Sequence, residues 1–189
     1  MPNHIFVAYV EDKPGVLNRV ASLFRRRAFN IESLTVGHTE QAGVSRMTIV
    51  VDADEMMARR IEANLYKLVN VLRVDDVTEK PAVVRDLALI KVAVKNGNRG
   101  EILQLADVFR ARVVDVTNES LVIEITGTED KIDGLVEVLR PFGLIEMVRT
   151  GMVAMARGAE AVSPNPPLVA AHVPAESQTR ASQAVAMSV

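Results

Sequence analysis

Cysteine and tryptophan are absent from the sequence, and only 4% of its 189 residues are aromatic. Without cysteine the chain can form neither a disulfide nor a thiolate nucleophile. The three histidines, His4, His38 and His172, are far apart in the sequence and form no zinc-binding spacing. The Gly-x-Ser-x-Gly motif of hydrolases and the phosphate-binding P-loop are also missing. A metal site therefore has little support in the sequence, and none of these patterns indicates an active site.

A strong charge of either sign and a long hydrophobic run are missing as well. The net charge is −2, so no electrostatic attraction to nucleic acid or membrane is expected. No apolar run approaches the roughly 20 residues of a membrane-spanning helix, and the first residues lack the pattern of a signal peptide. We predict a cytoplasmic protein. The segment Gly97-Asn98-Arg99-Gly100 has the form of a nucleic-acid-binding loop, but we interpret it as a turn before a helix.

Hydrophobic residues, which make up 49% of the chain, recur at the spacing of an α+β unit. The first unit is predicted to contain a strand at 5–10 that is apolar on both faces and therefore central in its sheet. A helix follows from Val16, with Arg25, Arg26 and Arg27 in its last turn. The remaining elements are predicted as strands at 30–39 and 46–51, a helix over 57–68 and a strand at 69–77.

The same order is repeated in the second half of the chain. The pattern predicts strands at 87–94, 113–117, 121–126 and 144–153, a helix over 102–109 and a helix over 132–139 that ends before Pro141. We therefore predict an α+β fold of two tandem ferredoxin-like βαββαβ units, each a four-stranded antiparallel sheet with two helices on one face. Their predicted bounds are 3–79 and 84–158.

The last 31 residues, 159–189, have a different composition. They contain no aromatic residue, four of the eight prolines, and only three charged residues. Such a segment buries too little apolar surface to offset the entropy lost on ordering. We predict a disordered tail.

A Pro-Gly turn joins the first strand to the first helix. Pro14 has a fixed φ and no N–H, which suits a helix entrance, and Gly15 lets another molecule approach the backbone closely. The free N–H groups at the positive end of the helix dipole can bind a carboxylate, and Asp12 can bind an ammonium group. These residues predict a site for a free amino acid. The alternative is that the turn is only a short connection between strand and helix.

The segment Glu11-Asp12-Lys13-Pro14-Gly15-Val16-Leu17, followed by this element order, resembles the ACT domain, a module that binds small molecules and commonly amino acids. Further segments resemble the small regulatory subunit of acetolactate synthase, and the likeness covers about residues 3–158. The segments that carry this likeness are 24–36, 45–50, 67–74, 109–117 and 146–158.

The resemblance implies a non-catalytic subunit that raises the activity of a separate large subunit and confers feedback inhibition by valine or a related branched-chain amino acid. The large subunit of this family carries thiamine diphosphate, Mg²⁺ and FAD and condenses pyruvate with a second 2-oxoacid. No cofactor is expected in the small subunit. Two small subunits are expected to pair through their ACT domains, with the effector bound at that interface.

The resemblance also implies the roles of individual residues. The backbone of Gly15 would contact the effector carboxylate, and Asp12 occupies the acidic or amide position of the loop. Asn30 and Ile31 would come from the partner chain. A stand-alone ACT-domain sensor or transcriptional co-regulator is the main alternative, and a small ferredoxin-like isomerase or transferase is a more distant one. The expected effector-binding residues are Asp12, Pro14, Gly15, Val16, Leu17, Asn30 and Ile31.

Overall fold

A computed structural model describes residues 3–95 and 97–158, so the predicted tail lies outside the described residues. The first half of the chain folds as one sheet with two helices packed on one face. Its strands are ordered β2-β3-β1-β4, and all neighbouring strands are antiparallel. The elements are β1 (Asn3–Glu11), α1 (Val16–Arg26), β2 (Ser33–His38), β3 (Val44–Asp52), α2 (Glu55–Leu65) and β4 (Val71–Asp76).

Strand β1 is central in this sheet, as its apolar sequence predicts. Phe6, Ala8 and Val10 are buried under the two helices, whereas Val7 and Tyr9 are buried on the opposite face. Because side chains alternate along a strand, burial on both faces requires a layer on each side of the sheet. The helices supply one layer, and the second layer comes from the other half of the chain.

The second half of the chain repeats the fold. Its sheet has the order β6-β7-β5-β8, which corresponds position by position to that of the first sheet. The prediction of two tandem α+β units of ferredoxin-like topology is therefore confirmed. The elements are β5 (Ala82–Ala93), α3 (Arg99–Val108), β6 (Arg112–Val116), β7 (Ser120–Gly127), α4 (Glu129–Gly143), β8 (Leu144–Arg149) and β9 (Val153–Ala156).

Helix α4 continues through Pro141, so the prediction that it ends before this proline is wrong. Pro141 lies third from the end of the helix. Leu139, just before it, is fully buried in the second core, which favours continued helical packing. The chain leaves the helix at Gly143, whose φ of 96° is of the left-handed kind that commonly ends helices. The glycine, not the proline, marks the helix end.

The predicted final strand, 144–153, is divided into β8 and β9 by a turn at Gly151, where φ is 84°. Strand β9 pairs with residues 82–85 at the beginning of β5, which starts five residues earlier than predicted. The β5–β9 ribbon, residues 82–85 with 153–156, lies outside the second four-stranded sheet.

The β5–β9 ribbon covers the face of the first sheet that the helices leave open. Ala154 of the ribbon is buried in one apolar cluster with Val7 and Tyr9 of β1. Arg46 of β3 places its guanidinium carbon 5.8 Å from the centre of the Tyr9 ring and donates a hydrogen bond to the Ala154 carbonyl oxygen. The two units are therefore joined by a packed interface as well as by the connecting chain.

Candidate effector site

The loop between β1 and α1 presents an open helix N-terminus. Gly15 occupies the N-cap position with φ 83° and ψ −5°, and a Cβ added to it would meet no atom within 4 Å. No side chain caps the helix, and its first turn carries no acidic residue. A residue with a Cβ seldom adopts this backbone conformation. The Val16 amide donates to the Lys13 carbonyl over 3.3 Å, and the later N–H groups of the first turn can donate to an anionic group brought from outside.

The loop is held by hydrogen bonds from both sides. The Asp12 amide donates to the Gly43 carbonyl over 2.8 Å, and the Glu11 amide donates to the Asn70 carbonyl over 2.9 Å. The Glu11 carboxylate accepts hydrogen bonds from the Asn70 side-chain amide and from the Lys13 ammonium. The Asn70 bond first, and the Lys13 contact second, hold the pKa of Glu11 below its usual range. These contacts fix the position of the loop while leaving its outer side open.

Asp12 remains partly exposed beside this N-terminus. Its Oδ2 atom lies 3.3 Å from Nδ1 of His38, the last residue of β2, and both side chains are largely accessible. The sequence pattern had not indicated His38 as a site residue, because the contact depends on β2 returning to the loop. Because the Asp12 side chain is 45% exposed, an ammonium group can reach this carboxylate from solvent beside His38.

The apolar residues on either side of Gly15 lie in different environments. Val16 is buried in the first core, whereas Leu17 is 46% exposed and Pro14 lies on the surface. Leu17 and Arg19 are about 200° apart around the helix. Since Arg19 donates to Asn70 in the α2–β4 connection, Leu17 points to the opposite side, towards β2. Pro14 and Leu17 are thus the apolar residues of this group that a ligand on the surface can touch.

Asn30 and Ile31 lie at the other end of α1. This helix has 11 residues and is therefore about 16 Å long, and β2 returns from that far end to bring His38 beside Asp12. The Asn30 side-chain amide donates to Glu32, and Ile31 packs partly into the core. One chain does not bring these two residues to Gly15, so a site that contains all of them needs a second chain.

In 3–95 and 97–158, no group of three or more His, Cys, Asp or Glu side chains is arranged to hold a metal ion. Over the same residues, no helix combines the length and apolar character needed to cross a membrane.

Two ferredoxin-like units in tandem, the first with an open helix end after a Pro-Gly turn, define a regulatory protein of the ACT type. The family model of the acetohydroxyacid synthase (AHAS) small subunit-like ACT domain matches residues 6–73. The model described as the small subunit of acetolactate synthase matches residues 85–158. The chain belongs to the acetolactate synthase small subunit family.

Individual relatives agree with this assignment. The chain is 50% identical over 155 residues to a probable acetolactate synthase small subunit of Archaeoglobus fulgidus, covering 82% of this chain and 97% of the relative. It is 50% identical over 157 residues to the acetolactate synthase small subunit of Mycolicibacterium smegmatis, covering 83% and 92%. The crystal structure of this subunit from Thermotoga maritima aligns with a TM-score of 0.79 and 41% identity, covering 84% and 99%. The resemblance seen in the sequence is confirmed, and the chain is a regulatory subunit.

Proposed function

We propose that this subunit binds a branched-chain amino acid at the β1–α1 loop and transmits its presence to a separate acetolactate synthase large subunit in the cytoplasm. The large subunit would carry thiamine diphosphate, Mg²⁺ and FAD, and this chain would carry no cofactor. Without effector the subunit raises the activity of its partner, and with effector it lowers that activity. The observation that carries the proposal is the uncapped N-terminus of α1 at Gly15, beside the accessible carboxylate of Asp12.

The geometry of the loop suits a free amino acid. The effector carboxylate would accept hydrogen bonds from the first turn of α1, where the helix dipole adds to the attraction. The effector ammonium group would face Asp12, and a branched side chain would pack against Leu17. The partner chain's copies of Asn30 and Ile31 would close the site. We assign effector binding and pairing to residues 3–79 and the second regulatory unit to residues 84–158.

Pairing of two copies through the edge strand β2 would assemble such a shared site. In the described chain β2 pairs only with β3, so its other edge is open. Val36 on β2 is 42% exposed, and the exposed Leu17 and Ala21 of α1 lie on the same flank. If two β2 strands pair antiparallel, the start of β2 in one chain, which follows Asn30 and Ile31, lies beside the end of β2 in the other. That end of β2 is next to the β1–α1 loop. The dimer then contains two complete sites, each built from the loop of one chain and from Asn30 and Ile31 of the other.

The test is to co-purify the chain with the large subunit of the same organism and to measure acetolactate formation. The large subunit alone is the control. We expect higher activity in the complex than in the control, and inhibition when valine, leucine or isoleucine is added in separate titrations. One methylene changes affinity by about 1–3 kcal/mol, so valine should differ in potency from its larger homologues leucine and isoleucine by roughly 10- to 200-fold. A complex that none of the three amino acids inhibits would contradict the proposed effector role.

A further inference from the structure

Strand β2 contacts the second unit on the face opposite the helices. The Ser33 hydroxyl oxygen accepts a hydrogen bond from the Met152 amide over 3.1 Å. Two residues along the same face, the Thr35 hydroxyl donates to the Thr150 carbonyl oxygen over 3.2 Å. Residues 150–152, which we call the β8–β9 turn, therefore lie directly on β2.

Gly151 is the point of closest approach in the β8–β9 turn. Its φ of 84° is in the left-handed region, and a Cβ added there would lie 2.3 Å from the Ser33 hydroxyl oxygen and 3.2 Å from that of Thr35. A Cβ at this position would displace the Ser33 hydroxyl and break its hydrogen bond with the Met152 amide. The contact therefore depends on glycine for both the backbone conformation and the space.

The other side of the turn is fixed to the second unit. The Thr150 hydroxyl donates to Asp86 over 3.1 Å, and the Arg149 guanidinium contacts Asp86 at 2.8 Å. The same guanidinium contacts Asp133 of α4 at 2.7 Å. Asp86 is only 4% exposed, so this ion pair is anchored in the interior. A displacement of the turn would move β5, β8 and α4 with it.

The proposed effector residues lie immediately before this contact. Asn30 and Ile31 precede Ser33 by three and two residues, so they lie within about 10 Å of it along the chain even when fully extended. Between Glu32, Glu129 and Arg149 the two units enclose an open cleft of about 420 Å³. The β8–β9 turn therefore borders this cleft, beside the segment that leads to Asn30 and Ile31.

We infer that the β8–β9 turn on β2 couples the effector site to the second unit, with Gly151 as the positioning residue. The inference rests on the proposed function. An effector that draws Asn30 and Ile31 towards the partner chain would move the start of β2. The hydrogen bonds of Ser33 and Thr35 would pass that movement to Thr150 and, through Asp86 and Arg149, to α4. The contact thereby gives the effector a means of favouring one arrangement of the two units.

The test is Gly151→Ala in the full chain, with Gly158→Ala as the matched control. Gly158 has a nearly equal φ of 86°, but a Cβ added there would meet no atom within 4 Å. Valine binding to the purified subunit is measured by calorimetry, and inhibition is measured on the complex with the large subunit. For Gly151→Ala we expect wild-type valine binding but at least a fivefold rise in the half-inhibitory valine concentration, the low end of typical allosteric coupling. Gly158→Ala should be inhibited like the wild type.

Thr35→Val keeps the side-chain shape but removes one hydrogen bond across the contact. It should also raise the half-inhibitory valine concentration, but by less than Gly151→Ala does. If Gly151→Ala does not fold, Thr35→Val is the variant that tests the inference. If the folded Gly151→Ala complex is inhibited at the same valine concentration as the wild type, the inference is wrong but the proposed function stands. If Gly151→Ala does not fold, unchanged inhibition of the Thr35→Val complex has the same meaning. A wild-type complex that does not respond to valine, leucine or isoleucine would overturn the proposed function and the inference together.

Discussion

Gly15 combines a left-handed backbone with open space where a side chain would be. A side chain added there enters open space at the N-terminus of α1, where we place the effector carboxylate. Strain from the left-handed conformation costs about 1–2 kcal/mol for most residues, and aspartate tolerates it better than most. The effect of a substitution at Gly15 on effector binding therefore depends mainly on the charge and size of the new side chain at the N-terminus of α1.

We expect Gly15→Asp to abolish feedback inhibition, raising the half-inhibitory valine concentration more than about tenfold, because its carboxylate competes for the N–H groups and repels the effector. Activation of the large subunit should stay within about twofold of the wild type, since the substituted loop lies outside both cores. Gly15→Ala is the control, because it carries the backbone strain without the charge, and it should lose less sensitivity. Unchanged inhibition in the aspartate variant would contradict the assignment of the site to this loop.

In our proposals strand β2 both pairs with a second copy of the chain and contacts the second unit. Pairing involves its open edge and the face towards α1, and the contact involves its opposite face. The face that carries Leu34 and Val36 packs towards α1 and continues to the flank that would pair with a second copy. The opposite face, with Ser33 and Thr35, carries the β8–β9 turn. Because β2 contacts both the pairing flank and the β8–β9 turn, a movement of β2 at the pairing flank can displace the turn.

Val36→Glu tests the pairing through this strand. A charge on each of the two apposed flanks is brought close to its symmetry mate, which costs several kcal/mol in the dimer, so we expect the variant to be monomeric at concentrations where the wild type is dimeric. Sedimentation or light scattering measures the mass directly. Val69→Glu is the control, because Val69 is 89% exposed and lies in the loop before β4. A dimeric Val36→Glu subunit would exclude β2 as the pairing edge.

The elements that the sequence predicted well are those with local signals. The two-sided apolar pattern of β1 predicted a central strand, and the Pro-Gly turn predicted where α1 starts. Strand β9 was missed because its partner is the beginning of β5, about 70 residues earlier, and no local pattern encodes such a pairing. The helix end at Gly143 was missed because a proline, which lacks an N–H, is a strong local signal for the end of a helix, and Pro141 comes two residues earlier. The local sequence of the Pro-Gly turn also predicted the part of the candidate site that lies in the β1–α1 loop. Asn30 and Ile31 were assigned to the site only from the resemblance to the family.

At the scale of the whole molecule, the two units together correspond to nearly the entire length of a relative. The 155 residues aligned with the Archaeoglobus fulgidus protein cover 97% of that chain. A member of this family can therefore consist almost wholly of the part that corresponds to the two units. Residues 159–189 are outside both family models.

We expect a chain ending at Gly158 to activate the large subunit and to confer inhibition within about twofold of the full chain, since a segment of this composition adds little buried surface. Activity titrations of the two complexes, at equal large-subunit concentration, compare them directly. The full chain is the reference in each titration. Loss of inhibition in the shortened chain would assign a regulatory role to residues 159–189.

Strand β5 runs through both parts of the molecule without interruption. Its first residues form the ribbon on the first sheet, and its remainder is a central strand of the second sheet. Twelve residues at about 3.3 Å each make a rod of roughly 40 Å, so a tilt of about 5° at one end moves the other by about 3 Å. In the regulation that we propose, β5 would act as a lever arm, so that a small rotation near the effector site would become a larger displacement of the second unit.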